Sequence, residues 1–155
     1  LEKISADKAN DPLINKQYHL DTLNADKAWD ISMGDKNVKI AIVDTGIDLN
    51  HPDLKDRILK GKNIVNPELK PYDDNGHGTH VAGIAAATAN NDIGVAGIAP
   101  KCSIIPVKAL KYGKGSDIDI AEGIVWAANN GANVINISIG LYTKSTALEK
   151  AVKYA

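Results

Sequence analysis

From Val38 to the end of the chain, short runs of β-branched apolar residues alternate with stretches of helical pattern, and that order constrains the fold more than any other feature. Residues 38–43 read as a strand that runs straight into the turn Asp44-Thr45-Gly46. Residues 77–89 are apolar nearly all round and rich in Ala and Gly, as expected of a buried helix packed closely on a sheet. Residues 103–110 read as another strand, demoted towards an edge by Pro106, which lacks a ladder donor. Asp117 is read as the cap of a helix with Ile118, Ala121, Ile124, Val125 and Ala128 on its core face, and Gly131 sits where a C-terminal cap belongs. Residues 133–138 read as the next strand, and Thr146 followed three residues later by Glu149 reads as a capping box opening a last helix. The alternation implies right-handed crossovers and an α/β fold whose mostly parallel sheet is covered on both faces. In such sheets ligands bind beyond the carboxyl ends of the strands, which is where Asp44 stands.

The amino-terminal part is less regular. Residues 1–23 mix charges, Pro12 and polar residues without periodicity, and are expected to form an extended arm docked on a domain built by residues 24–155. Residues 24–31 read as a short helix with Asn24 as N-cap and Ala25, Ala28 and Trp29 on one face, stopping at Gly34. Residues 61–76 read as a surface loop. A length of 155 residues allows one domain with a sizeable core. A net charge of -1 with 24% charged residues argues against long disorder and against a polyanion-binding surface, so nucleic acid is not expected as a partner. The single cysteine, Cys102, cannot close a disulfide within the chain. The longest uncharged stretch, 123–143, is broken by Asn129, Asn130, Gly131, Asn133 and Asn136, so no bilayer-spanning helix is expected. The chain opens at Leu1 without an initiator Met or a basic and apolar leader, so any signal or pro-segment is expected to have been removed already.

Two segments carry the chemistry: Ala41-Ile42-Val43-Asp44-Thr45-Gly46, and Asn75-Gly76-His77-Gly78-Thr79-His80-Val81-Ala82-Gly83. With Ala28-Trp29-Asp30-Ile31, His51-Pro52-Asp53-Leu54, Gly94-Val95-Ala96-Gly97-Ile98-Ala99-Pro100 and Asn136-Ile137-Ser138-Ile139-Gly140 they form an ordered set. On these motifs the chain resembles the subtilisin-like serine proteases, and most of all their thermitase-like branch. The resemblance implies the three-layer α/β/α subtilisin-like fold, incomplete here, and a secreted or cell-surface endopeptidase. It also implies that Asp44 is the triad carboxylate and His77 the general base. A histidine oriented by an ionised carboxylate can take a proton from a serine and return it to a leaving group. His77 and His80, three apart on a helix face, also allow a zinc reading. No Glu stands between them as a metalloprotease base would, so that reading is the weaker one.

The resemblance also implies a calcium site. Its ligands carry over to Asp11, Asp53, the Asn91 side chain, and the carbonyls of Thr88, Ile93 and Val95; two carboxylates with neutral oxygens suit this hard cation. By composition alone, residues 90–94 are equally a plain turn. At a second calcium site of the thermitase-like branch the matching loop offers Asn63, Asn66, Glu68 and Lys70, and no ion is expected there. The family holds a peptide substrate as an added strand between two segments, here Tyr112-Gly113-Lys114-Gly115 and Ser138-Ile139-Gly140, with Tyr112 and Ile139 as pocket walls. Ser138 ends a strand without a nucleophile-elbow sequence and is assigned to substrate contact. The Gly-Thr-Ser segment that carries the family's nucleophile, and the oxyanion Asn before it, do not occur in these 155 residues. The expected partners are therefore polypeptide substrates, a carboxyl-terminal segment of the same protease carrying the serine, and a pro-segment or inhibitor. Alone, the chain is expected to be inactive. The alternative is a noncatalytic, calcium-stabilised binding or scaffold domain. A nucleotide-binding reading lacks a Gly-x-Gly-x-x-Gly after any strand.

Overall fold

The structure, a computed structural model, describes residues 9–141 and 143–155. Among them, four strands form one sheet: β1 (Lys39–Asp44), β2 (Lys62–Asn63), β3 (Ser103–Lys108) and β4 (Val134–Asn136), in the order β2-β3-β1-β4 and parallel throughout. Five helices surround it: α1 (Tyr18–Thr22), α2 (Ala25–Ile31), α3 (His77–Ala86), α4 (Asp117–Asn129) and α5 (Thr146–Tyr154). Alternate residues of β1 serve opposite faces. Ala41 and Val43 pack with Ile120, Ile124, Ala127 and Ala151 of α4 and α5, whereas Ile40 and Ile42 pack with Ala82 and Ala86 of α3. The result is the expected three-layer α/β/α arrangement around a parallel sheet.

Several local expectations are corrected. Pro106 does not mark an edge: β3 is fully buried between β1 and β2. The amides of Ser103 and Ala109 donate to Val38 and Asp44, so odd-numbered residues of β3 face β1. Ile104 and Lys108 instead accept from Leu59 and Ile64, which turns Pro106 towards the β2 side. Its missing donor therefore costs β3 no bond to β1. The same side explains why β2 is only two residues long. Gly61 lies so close to the Pro106 carbonyl that an added Cβ would sit 2.1 Å from its oxygen. Segment 61–76 is thus a loop that begins with a strand, and Asn63 and Ile64 are buried.

The α4 cap is Ser116, whose side chain accepts from the Asp119 amide in a capping box, and Asp117 is the first helical residue. The core face also differs from the expected one. Ile118 points to solvent, and the buried stripe is Ile120, Ala121, Gly123, Ile124 and Ala127, with Val125 and Ala128 at its margin. At the last helix the cap is likewise one residue earlier: Ser145 accepts from Leu148, while Glu149 pairs with Lys153 at 2.8 Å instead of closing a box with Thr146. The strand expected over 133–138 is confined to β4.

The described part of the amino-terminal arm is neither extended nor coreless. A 3₁₀ turn (Ile14–Lys16) leads into α1, and Leu20 is buried with Ala25, Trp29, Met33 and Ala96. Gln17 ties the arm down by bonding both the amide and the carbonyl of Ala96, each at 2.8 Å. Burying side chains of this size stabilises by about 1.5–3 kcal/mol each. Asn24 adopts a left-handed conformation (φ 51) and makes no side-chain cap, and Ala28 faces solvent. The portion of the arm at 1–8 lies outside the described residues. No helix among the described residues is long and apolar enough to cross a membrane.

Candidate active site

Asp44 is the last residue of β1 and is wholly buried. The Thr45 amide donates to its Oδ1 at 2.7 Å, and His77 Nδ1 lies 2.8 Å from the same oxygen. Oδ2 is buried without a hydrogen-bond partner among the described residues. His77 opens α3 with its side chain 46% exposed. With Nδ1–H donated to Asp44, the lone pair of Nε2 is left to accept a proton. The two residues that the motifs single out are thus brought together.

The approach of α3 to β1 depends on Gly78, where an added Cβ would lie 2.1 Å from the Gly46 carbonyl oxygen. The Gly78 amide donates to Thr45 Oγ1 at 2.9 Å, and that hydroxyl donates to Asp73 Oδ1 at 2.7 Å. Asp73 also accepts from the amides of Asn75, Gly76 and Thr79 and from the Thr79 hydroxyl. Burial pushes the Asp73 carboxyl up, but the bonds from Thr79, Gly76, Thr45 and Asn75 outweigh it and hold it at about 2. Asp73 therefore stays ionised and fixes both the helix start that carries His77 and the turn that follows Asp44. Sequence reasoning missed this residue; its signal was an acidic residue just before a helix start.

His80 is exposed and lines a cavity of about 840 Å³ with Ile84, Leu13 and Gln17, on the outer side of α3. His77 does not line it. Among the described residues no three His, Cys, Asp or Glu side chains come together as a metal cluster.

Of the residues expected to hold calcium, the two carboxylates are buried against the loop at 88–95, Ile93 is exposed, and Thr88, Asn91 and Val95 are half-buried. Asp11 and Asp53 are 2% and 1% exposed. Asp11 accepts from the Asn90 amide through both oxygens, at 3.0 and 2.8 Å. Asp53 accepts from Asn91 Nδ2 at 2.9 Å and from the Val95 amide at 3.0 Å. The Thr88 amide donates to the Asp53 carbonyl, and the Ile93 amide to Asn91 Oδ1. Asn90, Asp92 and Gly94 all have positive φ, and a Cβ at Gly94 would lie 2.5 Å from Asp53 Oδ2. The donor chemistry of two carboxylates, an amide and carbonyls fits a hard cation. Ligation by the Asn91 oxygen requires its amide turned the other way round. On the far side Arg57 donates to the Ala86 carbonyl and to Thr88 Oγ1; burial pulls its guanidinium below the ordinary value, and Asp53 opposes that pull.

The two segments expected to flank a substrate follow the strands on either side of β1. Lys111 and Lys114 exchange backbone bonds of 2.7 and 3.0 Å, which makes Tyr112 (φ 49) and Gly113 (φ 77) the tip of a two-residue turn. Gly115 packs under it, so close that a Cβ would lie 2.6 Å from the Ala109 carbonyl oxygen. Beyond β4, Ser138 accepts from Asn136 Nδ2 at 2.9 Å, Ile139 packs on the α4 side of the sheet, and Gly140 is open to solvent.

The chain is similar to known proteases. Residues 35–155 match the peptidase S8 subtilase family. The chain is 48% identical over 140 residues to the thermophilic serine proteinase of Bacillus sp. (strain AK1), covering 90% of this chain and 35% of that protein. It is 47% identical over 148 residues to thermitase of Thermoactinomyces vulgaris, covering 94% and 53%. A solved structure described as proteases from Pseudoalteromonas arctica superposes with a TM-score of 0.82 at 33% identity, over 94% of this chain and 55% of that one. The chain thus spans between a third and about half of the length of these relatives. By the family match and by its relatives, it belongs to the subtilase family.

Proposed function

We propose that the protein containing this chain is a serine endopeptidase in which Asp44 and His77 are two members of an Asp-His-Ser triad. The observation that carries this reading is the 2.8 Å bond from His77 Nδ1 to the buried Asp44 carboxylate. In the mechanism, Nε2 of His77 takes the proton of a serine hydroxyl as that oxygen attacks the substrate carbonyl. The imidazolium, stabilised by Asp44, then gives the proton to the leaving amine, and water hydrolyses the acyl-enzyme by the same route. The serine and an oxyanion-hole donor come from a carboxyl-terminal segment of the same protease, so these 155 residues alone form no acyl-enzyme. The substrate is an extended polypeptide, lying between residues 112–115 and 138–140. Calcium is the proposed resident ion, held by Asp11, Asp53, Asn91 and the carbonyls of Thr88, Ile93 and Val95. When bound, it supplies charge compensation that clamps the arm to the loop at 88–95 and takes no part in proton transfer. The test is Asp44→Asn in the protease completed by its carboxyl-terminal segment. A wrong His tautomer costs a triad about 10⁴ in turnover, with the melting temperature close to that of the unaltered enzyme. Retention of most activity would reject the assignment.

A further inference from the structure

Lys108 is the only charged side chain in β3, and it is buried. A buried ammonium is costly unless it is paired, and an apolar residue would pack there at no such cost. Its Nζ donates to the Thr45 carbonyl, directly after Asp44, and pairs with Asp74 Oδ2 at 2.9 Å. The other Asp74 oxygen accepts from the Tyr112 amide at 2.9 Å. Tyr112 is at φ 49, a conformation that bulky residues rarely adopt. Beside it, a Cβ at Gly113 would lie 3.2 Å from Asn75 Nδ2. Three segments therefore meet at one ion pair: the turn after Asp44, the loop before His77, and the turn at 111–114.

We propose that Lys108 and Asp74 are positioning residues that hold the Tyr112–Gly113 turn at a fixed place relative to the Asp44–His77 pair, and so set the binding of peptide residues that run along that turn. The proposal rests on the endopeptidase reading. The pair joins a buried Lys108 to the more exposed Asp74, so it adds little to stability, and what it fixes is the geometry of a substrate-flanking edge. The neutral Asn-Gly pair that this turn type prefers would need no such tether.

The test uses the completed protease with Asp74→Ala, which removes both bonds, and Asp74→Asn, which keeps an acceptor for the Tyr112 amide but not the charge. Each is measured on an extended peptide that spans the 111–114 edge and on a single-residue ester that does not reach it. Asp74→Ala is expected to raise KM for the extended peptide about tenfold, the scale of a lost hydrogen bond to a charged group. kcat and the ester kinetics stay within about twofold of the unaltered enzyme, and Asp74→Asn recovers part of the loss. Equal losses on both substrates, or an unchanged KM, would overturn the positioning role. The Tyr112 amide should also exchange faster in Asp74→Ala, and unchanged exchange would overturn the tether itself. An unaltered enzyme that cleaves neither substrate would defeat the endopeptidase reading and the substrate role with it, while exchange would still judge the tether.

Discussion

Asp73 makes the start of α3 sensitive to acid. Its carboxyl is held at about 2, below an ordinary value of 3.8, by hydrogen bonds that exist only in the folded chain. A depressed folded value means that the stabilisation is fully present above 3.8 and is lost as pH falls towards 2. The melting temperature is therefore expected to drop between about pH 4 and pH 2, and Asp73→Asn to flatten that part of the profile while lowering stability at neutral pH; a thermal melt at several pH values reads both. The Asp44–His77 pair was legible because both residues sit in contiguous motifs, at a strand end and a helix start. Asp73 left a local signal that was passed over, an acidic residue just before a helix start, whereas Asp74 and Lys108 left none. Their roles depend on the register that sets Asp44 beside Lys108, and no local pattern encodes a pairing between strands so far apart in sequence.

At the scale of elements, the start of α5 is fixed by one hydroxyl. Ser145 Oγ accepts from the Leu148 amide and donates to Asp117 Oδ2 at 2.6 Å, so a single side chain caps α5 and ties it to the first turn of α4. Ser116 caps α4 by bonds confined to its own helix end. Ser116→Ala is expected to cost about 1 kcal/mol, the usual worth of an N-cap. Ser145→Ala should cost about 1 kcal/mol more, because a bond to a carboxylate goes with the cap. Denaturant midpoints of the two variants give the comparison. Elements were legible where their apolar content alone fixes them, as in β1 and α3. They were misread where the outcome turns on one residue's neighbours. Pro106 is tolerated inside the sheet because its nitrogen faces the short β2 side, and Ile118 is outside the core because it lies across α4 from Ile120, Ile124 and Ala127.

For the whole molecule, the arm and the body meet at Asp11, Asn90 and Gln17, next to the proposed calcium ligands. A ligand bound only to the native state at a hundredfold excess over Kd stabilises it by about 2.7 kcal/mol. For a domain of this kind that corresponds to roughly 5–10 °C of melting temperature. Chelation is expected to lower the melt by that order, and removal of residues 1–12 to abolish the dependence; a melt indifferent to chelator would reject the ion. The sheet order carries a further consequence, for the timing of folding. β1 lies between β3 and β4, and both come later in the chain, so its first partner lies about sixty residues downstream. At about 5–20 residues per second of synthesis, Ile40 to Val43 wait on the order of 3–12 s for that partner. Pairings between such distant segments pay their loop-closure entropy before any contact rewards it. During the wait a stretch that is buried in the native protein is a short, largely β-branched, uncharged segment open to pairing with another chain. A nascent chain of this kind is most vulnerable to aggregation after the Asp44 turn has emerged and before β3 has.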